Sequence, residues 1–206
     1  MTIVPEFDDL HARLLATRSV QERLALSWLW EEKTLAQWDD LSAALLAGKA
    51  RVDDAEAAGA LSAGALSRDA AALHEATKQA LGLAKVRYRD RPETLRALAG
   101  LRASKGSVAA VRRSADDLAA AWGKIDGKAS YNNVSLPDYS ARRAALESRE
   151  SERSAKRAGV RQEKKDFLER RKTLHRDLVA WYAAASRVFP ANTPEGQLLR
   201  AEVPTM

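Results

Sequence analysis

The stretch that decides the fold is Ser135 to Phe189, SLPDYSARRAALESRESERSAKRAGVRQEKKDFLERRKTLHRDLVAWYAAASRVF. Strong helix formers, chiefly Ala, Arg, Glu, Lys and Leu, fill it almost throughout. Ser135 ahead of Pro137 and Asp138 is a good helix start. Tyr139, Leu146, Arg153, Val160, Phe167, Leu174 and Trp181 recur every seven residues, but only the ends of that series are strongly apolar. Between Glu147 and Lys165 the small residues Ala155, Ala158 and Gly159 take the place of large side chains. Two readings fit: a helical hairpin turning near Gly159, or one long helix. A single stripe so poor in large side chains would bury little area, so the hairpin is the expectation.

Working outward, Pro5 with Glu6, Asp8 and Asp9 marks a helix start, and Phe7, Leu10 and Leu14 share one face. Ser19 and Glu22 have the spacing of a capping box, which allows a short first helix with a break near Thr17–Ser19, although the periodicity also fits a helix running through, and the next helix extends to about Gly48 or beyond. Leu24, Trp28, Leu35, Trp38 and Leu45 form its buried stripe. The Ala- and Gly-rich run from Ala55 to Gly64 predicts a turn or a very close packing contact, and the turn is preferred. A helix from about Ser67 follows, restarted at Pro92, which has no amide hydrogen to donate. Ala103–Ser107 reads as a loop, Val108 to about Ile125 as a helix, and Gly127–Pro137 as the least helical part of the chain. The chain-terminal helix stops near Phe189-Pro190, and Thr193-Pro194-Glu195 starts one more helical turn. Val203-Pro204 is extended, and this apolar tail should cover its own bundle or a second subunit.

Composition agrees with an all-α protein. The 206 residues are rich in Ala and Leu, 30% charged and only 6% aromatic, with no cysteine. The expected architecture is one domain, 1–206, an elongated antiparallel bundle of two helical hairpins, about 5–103 and 107–190, with a short helical turn and extended tail over 191–206. No leader pattern and no bilayer-length apolar run occur, so the expected location is cytoplasmic, with no membrane partner. The net charge of +6 is uneven: residues 142–176 carry 13 basic and 6 acidic side chains. Such an excess points either to a polyanion partner or to a solvated helix face.

One resemblance enters through the C-terminus. Trp181-Tyr182, Val188-Phe189-Pro190, Thr193-Pro194-Glu195-Gly196, Leu199-Arg200 and Val203-Pro204-Thr205 resemble the end of a group of uncharacterised bacterial helical proteins. It covers about a tenth of the chain. The resemblance implies a helical fold and carries over no catalytic residue.

Chemistry-bearing patterns are sparse. His11, His74 and His175 are mutually distant in sequence and lack the Glu-x-x-His pairs of bundle dimetal sites, so they read as exposed histidines. Asp39-Asp40, Asp53-Asp54 and Asp116-Asp117 point about 100° apart on a helix and make no acid/base pair by themselves. Ser104-Lys105-Gly106-Ser107 has the residue types of a phosphate loop without its first glycine or preceding strand. No catalytic residue, metal or cofactor is assigned. The leading expectation is a non-enzymatic structural or interaction protein that forms a homo-oligomer or meets a protein partner, with Trp30, Leu198, Leu199 and Val203 as interface residues. The alternative is nucleic-acid or other polyanion binding through Arg149, Arg153, Lys156, Arg157, Lys164, Arg170 and Arg171. The interleaved acids Glu147, Glu150, Glu152, Glu163, Asp166 and Glu169 weigh against it, because they permit ion pairing along the helix.

Overall fold

A computed structural model describes residues 4–25 and 28–203. Pro204 and Thr205 of the tail, and the first three residues of the chain, lie outside the described residues. The described chain is an all-α bundle: α1 (Phe7–Leu24), a 3-10 turn (Trp30–Glu32), α2 (Leu35–Arg87), α3 (Pro92–Ala99), α4 (Val108–Asp126), α5 (Leu136–Val188) and α6 (Pro194–Glu202). A two-residue hairpin, β1 (Ser130–Tyr131) antiparallel to β2 (Val134–Ser135), precedes α5. No described helix is long and apolar enough to cross a membrane.

Three expected helix interruptions, two of them chain reversals, are absent. The Ala55–Gly64 run lies inside α2 and Gly159 inside α5, each helix being 53 residues long, so neither turn exists. Glycine costs a helix only about 1 kcal/mol relative to alanine, which the flanking helix formers offset. Ser19 likewise sits within α1. Its partner Glu22 takes the Arg18 guanidinium instead of a backbone amide. The real break follows Leu24, and α2 is started by Thr34: Thr34 Oγ1 accepts from the Gln37 amide at 3.3 Å while the Thr34 amide donates to Gln37 Oε1 at 2.8 Å. Glu31, in the turn between, has a left-handed φ of 50°.

The chain forms two compact units. Unit 1, residues 1–56 and 159–206, has as its core Leu10, Leu14 and Leu24 of α1, Trp38 and Leu45 of α2, and Phe167, Leu178 and Trp181 of α5. α1 runs antiparallel to α2, as the His11–Ser42 and Arg18–Asp39 contacts show. Gly48 meets the Phe167 ring, and an added Cβ would lie 2.9 Å from it. α6 packs on α1, with Arg23 paired to Glu202 at 2.5 Å. Leu199 and Val203 of the tail are buried in this core, worth about 1.5–3 kcal/mol for each side chain. The tail therefore covers its own chain.

Unit 2, residues 57–158, packs α3, α4 and the hairpin with the adjoining parts of α2 and α5. Leu66, Leu73, Val111, Leu118, Trp122, Tyr139 and Leu146 form its core. Pro92 occupies the first turn of α3, and Ser107 caps α4 by accepting from the Ala110 amide. At the hairpin, Asn132 and Asn133 both take positive φ, 52° and 60°, as a two-residue turn of this kind requires. Ser135 and Asp138 then cap α5 reciprocally, with Ser135 Oγ accepting from the Asp138 amide at 3.3 Å. Tyr139 is fully buried and shares a 2.6 Å hydrogen bond with Thr77. Burial raises its phenol above the usual value, with the Thr77 contact acting the other way.

Candidate polyanion-binding face

α5 is one helix because its interior holds no strong breaker: Gly159 is preceded by Ala155, Lys156, Arg157 and Ala158 and followed, after Val160, by Arg161, Gln162, Glu163 and Lys164. No residue from Glu147 to Asp166 is buried. The surrounding heptad positions hold the helix down instead. Tyr139 and Leu146 sit in the core of unit 2, and Phe167, Leu174 and Trp181 in that of unit 1.

The seven basic side chains singled out in the sequence divide by environment. Arg149 pairs with Glu152 at 3.0 Å and Asp69 at 3.4 Å. Lys164 pairs with Glu56 at 2.5 Å. Arg171 donates to the Pro5 carbonyl and lies 3.7 Å from Glu6. Arg153 is half-buried and lines a cleft of unit 2. Lys156 and Arg157 in unit 2, and Arg170 in unit 1, are exposed, with no carboxylate in ion-pair range among the described residues. Arg161 and Lys165 of unit 1 share that state and belong with them. They stand in the same basic run, so counting exposed positions along it would have found them.

The interleaved acids are mostly engaged within the protein. Glu150 takes Arg112 at 2.7 Å, Glu163 takes Arg51 at 3.6 Å, Glu152 takes Arg149, and Glu169 takes Lys172 at 2.7 Å. Asp166 accepts from Gln162 at 2.8 Å. Glu150 and Glu163 are thus spent on α4 and α2 and do not neutralise α5 itself. Each exposed pair is worth only about 0–1 kcal/mol, so these contacts orient the side chains more than they stabilise the fold.

The expected interface residues are placed differently. Trp30 is 8% exposed and packs on Trp38 with centroids 5.9 Å apart, so it belongs to the core of unit 1. Lys33 Nζ lies 4.5 Å from the Trp30 ring centroid. Leu199 and Val203 are buried and Leu198 half-buried against the same core.

The histidines are not the exposed residues the sequence suggested. His11 Nε2 meets Ser42 Oγ at 3.0 Å, and His74 Nδ1 meets the Ser104 carbonyl at 2.7 Å. His175 is nine-tenths buried, its Nδ1 without a partner among the described residues; burial, then the neighbouring Arg13 charge, lowers its pKa. Among the described residues no three His, Asp or Glu side chains are grouped to hold a metal. The adjacent acids split as their helical spacing dictates: Asp39, Asp53 and Asp116 meet Arg18, Lys49 and Arg143, while Asp40, Asp54 and Asp117 stay exposed. No protein-family model, curated protein or solved structure matches this chain.

Proposed function

We propose that this chain is a non-catalytic helical protein that binds a polyanion, a nucleic acid or a comparable polyphosphate, through basic side chains of α5. The observation that carries the reading is the unequal fate of the two charges. Glu163 and Glu150 of α5 are engaged with Arg51 and Arg112 of other helices, and Glu152 and Glu169 with neighbours on α5. Lys156 and Arg157 in unit 2, and Arg161, Lys165 and Arg170 in unit 1, stand exposed with no carboxylate in ion-pair range among the described residues. Long cations with no ion pair among the described residues suit phosphate contacts, which set affinity without reading sequence. With Phe167 buried in the core, α5 offers no exposed aromatic ring in this run for base stacking, so backbone contact is the mode. A cytoplasmic location goes with such a partner.

The test is the salt dependence of binding to a labelled 20-base-pair duplex, read by fluorescence anisotropy. Each phosphate neutralised contributes roughly 0.9 to the log-log slope. The double variant Lys156→Ala/Arg157→Ala should flatten that slope by about 2, with Arg89→Ala as an exposed control. Absence of binding to duplex and to single strands at low ionic strength sinks the reading.

Self-association or a protein partner is the second reading. Its remaining support is the Ala57–Ala65 part of α2, which neither turns nor contains a buried residue and leaves Leu61 75% exposed. Small residues there permit close approach of another helix. A monomeric mass by light scattering across a wide concentration range removes the self-association half.

A further inference from the structure

Unit 2 contains a cleft of about 540 Å³, between α2, the loop before α4, the start of α4, and Arg153 of α5. We infer that it is a second site, independent of the polyanion face, for a small amphiphilic organic anion: an acidic head on Arg153 and Lys105 and an apolar body on the Leu66, Ala70 and Val111 floor.

Arg153 is the first reason. Unit 2 has three half-buried arginines, and two are satisfied: Arg112 by Glu150 and Arg143 by Asp116. Arg153 alone has no carboxylate among the described residues, and it lines the cleft. A guanidinium partly withdrawn from water with its planar fork unused suits a carboxylate, sulfonate or phosphate head.

The second reason is the loop before α4. Lys105 is carried by a loop that is held at Ser104: His74 Nδ1 meets the Ser104 carbonyl at 2.7 Å, and the Ser104 amide donates to Ser114 Oγ at 3.3 Å. Lys105 has no ion pair among the described residues. Glu75, also lining the cleft, is the one carboxylate present and lies 3.8 Å from His74 Nε2. The lining thus keeps an excess of positive charge.

Volume decides the class of ligand. A bare inorganic anion fills a small part of about 540 Å³, whereas organic ligands take pockets of about 300–1,000 Å³ with mostly apolar walls. The room exists because α2 presents small residues here, Ala63, Ser67 and Ala70, where larger side chains would close the gap.

The probe is 8-anilinonaphthalene-1-sulfonate, an aromatic sulfonate, titrated by fluorescence into the full chain, with inorganic phosphate as competitor. Saturable one-to-one binding is expected, weakened at least tenfold by Arg153→Gln and by Ala63→Leu, which fills the cleft without changing charge. Binding should be unchanged in Lys156→Ala/Arg157→Ala, which separates this site from the polyanion face. If both cleft variants bind the probe as the parent does, the site is wrong. If inorganic phosphate displaces the probe at equal concentration, the apolar half of the inference is overturned. Far-ultraviolet circular dichroism confirms that each variant is folded.

Discussion

Trp181 donates its indole N–H to Gln21 Oε1 at 2.8 Å inside the core of unit 1, and the same Gln21 amide donates to the Trp28 carbonyl at 2.8 Å. One fully buried glutamine thereby ties α5, α1 and the segment leaving α1. Gln21→Leu leaves a buried indole N–H and a carbonyl without partners and should cost about 2 kcal/mol. Urea unfolding followed by tryptophan fluorescence would show a lower midpoint with an unchanged slope.

Gly196 sits where Thr193 caps α6, and no larger residue fits there. An added Cβ would lie 2.8 Å from the Phe189 carbonyl oxygen and run into that of Pro190. Both obstacles are backbone, so neither can swing aside. Gly196→Ala should destabilise unit 1 by about 1–3 kcal/mol, and limited proteolysis should then cut first near the start of α6.

At the hairpin, Asn133 has φ of 60°, which asparagine and glycine tolerate and β-branched residues do not. Asn133→Val should lower the stability of unit 2 by about 1–2 kcal/mol, while Asn133→Gly should leave it equal or higher. Thermal melts of the two variants side by side would show the contrast.

Acidification acts on His175. Its folded pKa lies below the ordinary value because burial and Arg13 disfavour the charged ring, so the unfolded chain binds the extra proton more readily. The sign is therefore that stability is full above about pH 6.5 and declines as pH falls toward the lower folded value. Lys172, Arg176 and Glu169 line the same region of α5, leaving cations in excess around the ring. His175→Leu should reduce this slope between about pH 6.5 and 5. An unchanged pH dependence in that variant would reassign the titration to another group.

Helix ends with a side-chain cap were readable in the sequence. Ser135 with Asp138, and Thr193, cap where their spacing says, and Pro92 restarts a helix, while Ser107, read only as the end of a loop, caps α4. Positions that depend on what lies across the bundle were not. Ser19–Glu22 and Thr34–Gln37 have the same capping pattern, yet only the second caps. The difference is tertiary: α1 continues past Ser19 to bury Val20, Gln21 and Leu24. Gly159 and the Ala55–Gly64 run read as breaks because they lack large side chains, but absence of packing does not unwind a helix flanked by good helix formers. The basic run was visible as composition, and so was the pairing of Glu152 and Glu169 along the helix, whereas the engagement of Glu163 and Glu150 depends on Arg51 and Arg112, which lie about a hundred and about forty residues earlier. The cleft had only the Ser104–Ser107 loop as its signal, and Arg153 joins it from a remote part of the chain.

The division into units also fixes an order of birth. Unit 2 is one uninterrupted piece of chain, residues 57–158, whereas unit 1 needs residues on both sides of it. During synthesis unit 2 can close as soon as α5 has grown past Leu146. The earlier-made helix α1 must wait, its Leu10, Leu14 and Val20 without their α5 and α6 neighbours, until Trp181 and Leu199 emerge from the ribosome. That interval is when nascent chains are most exposed to chaperones and to one another.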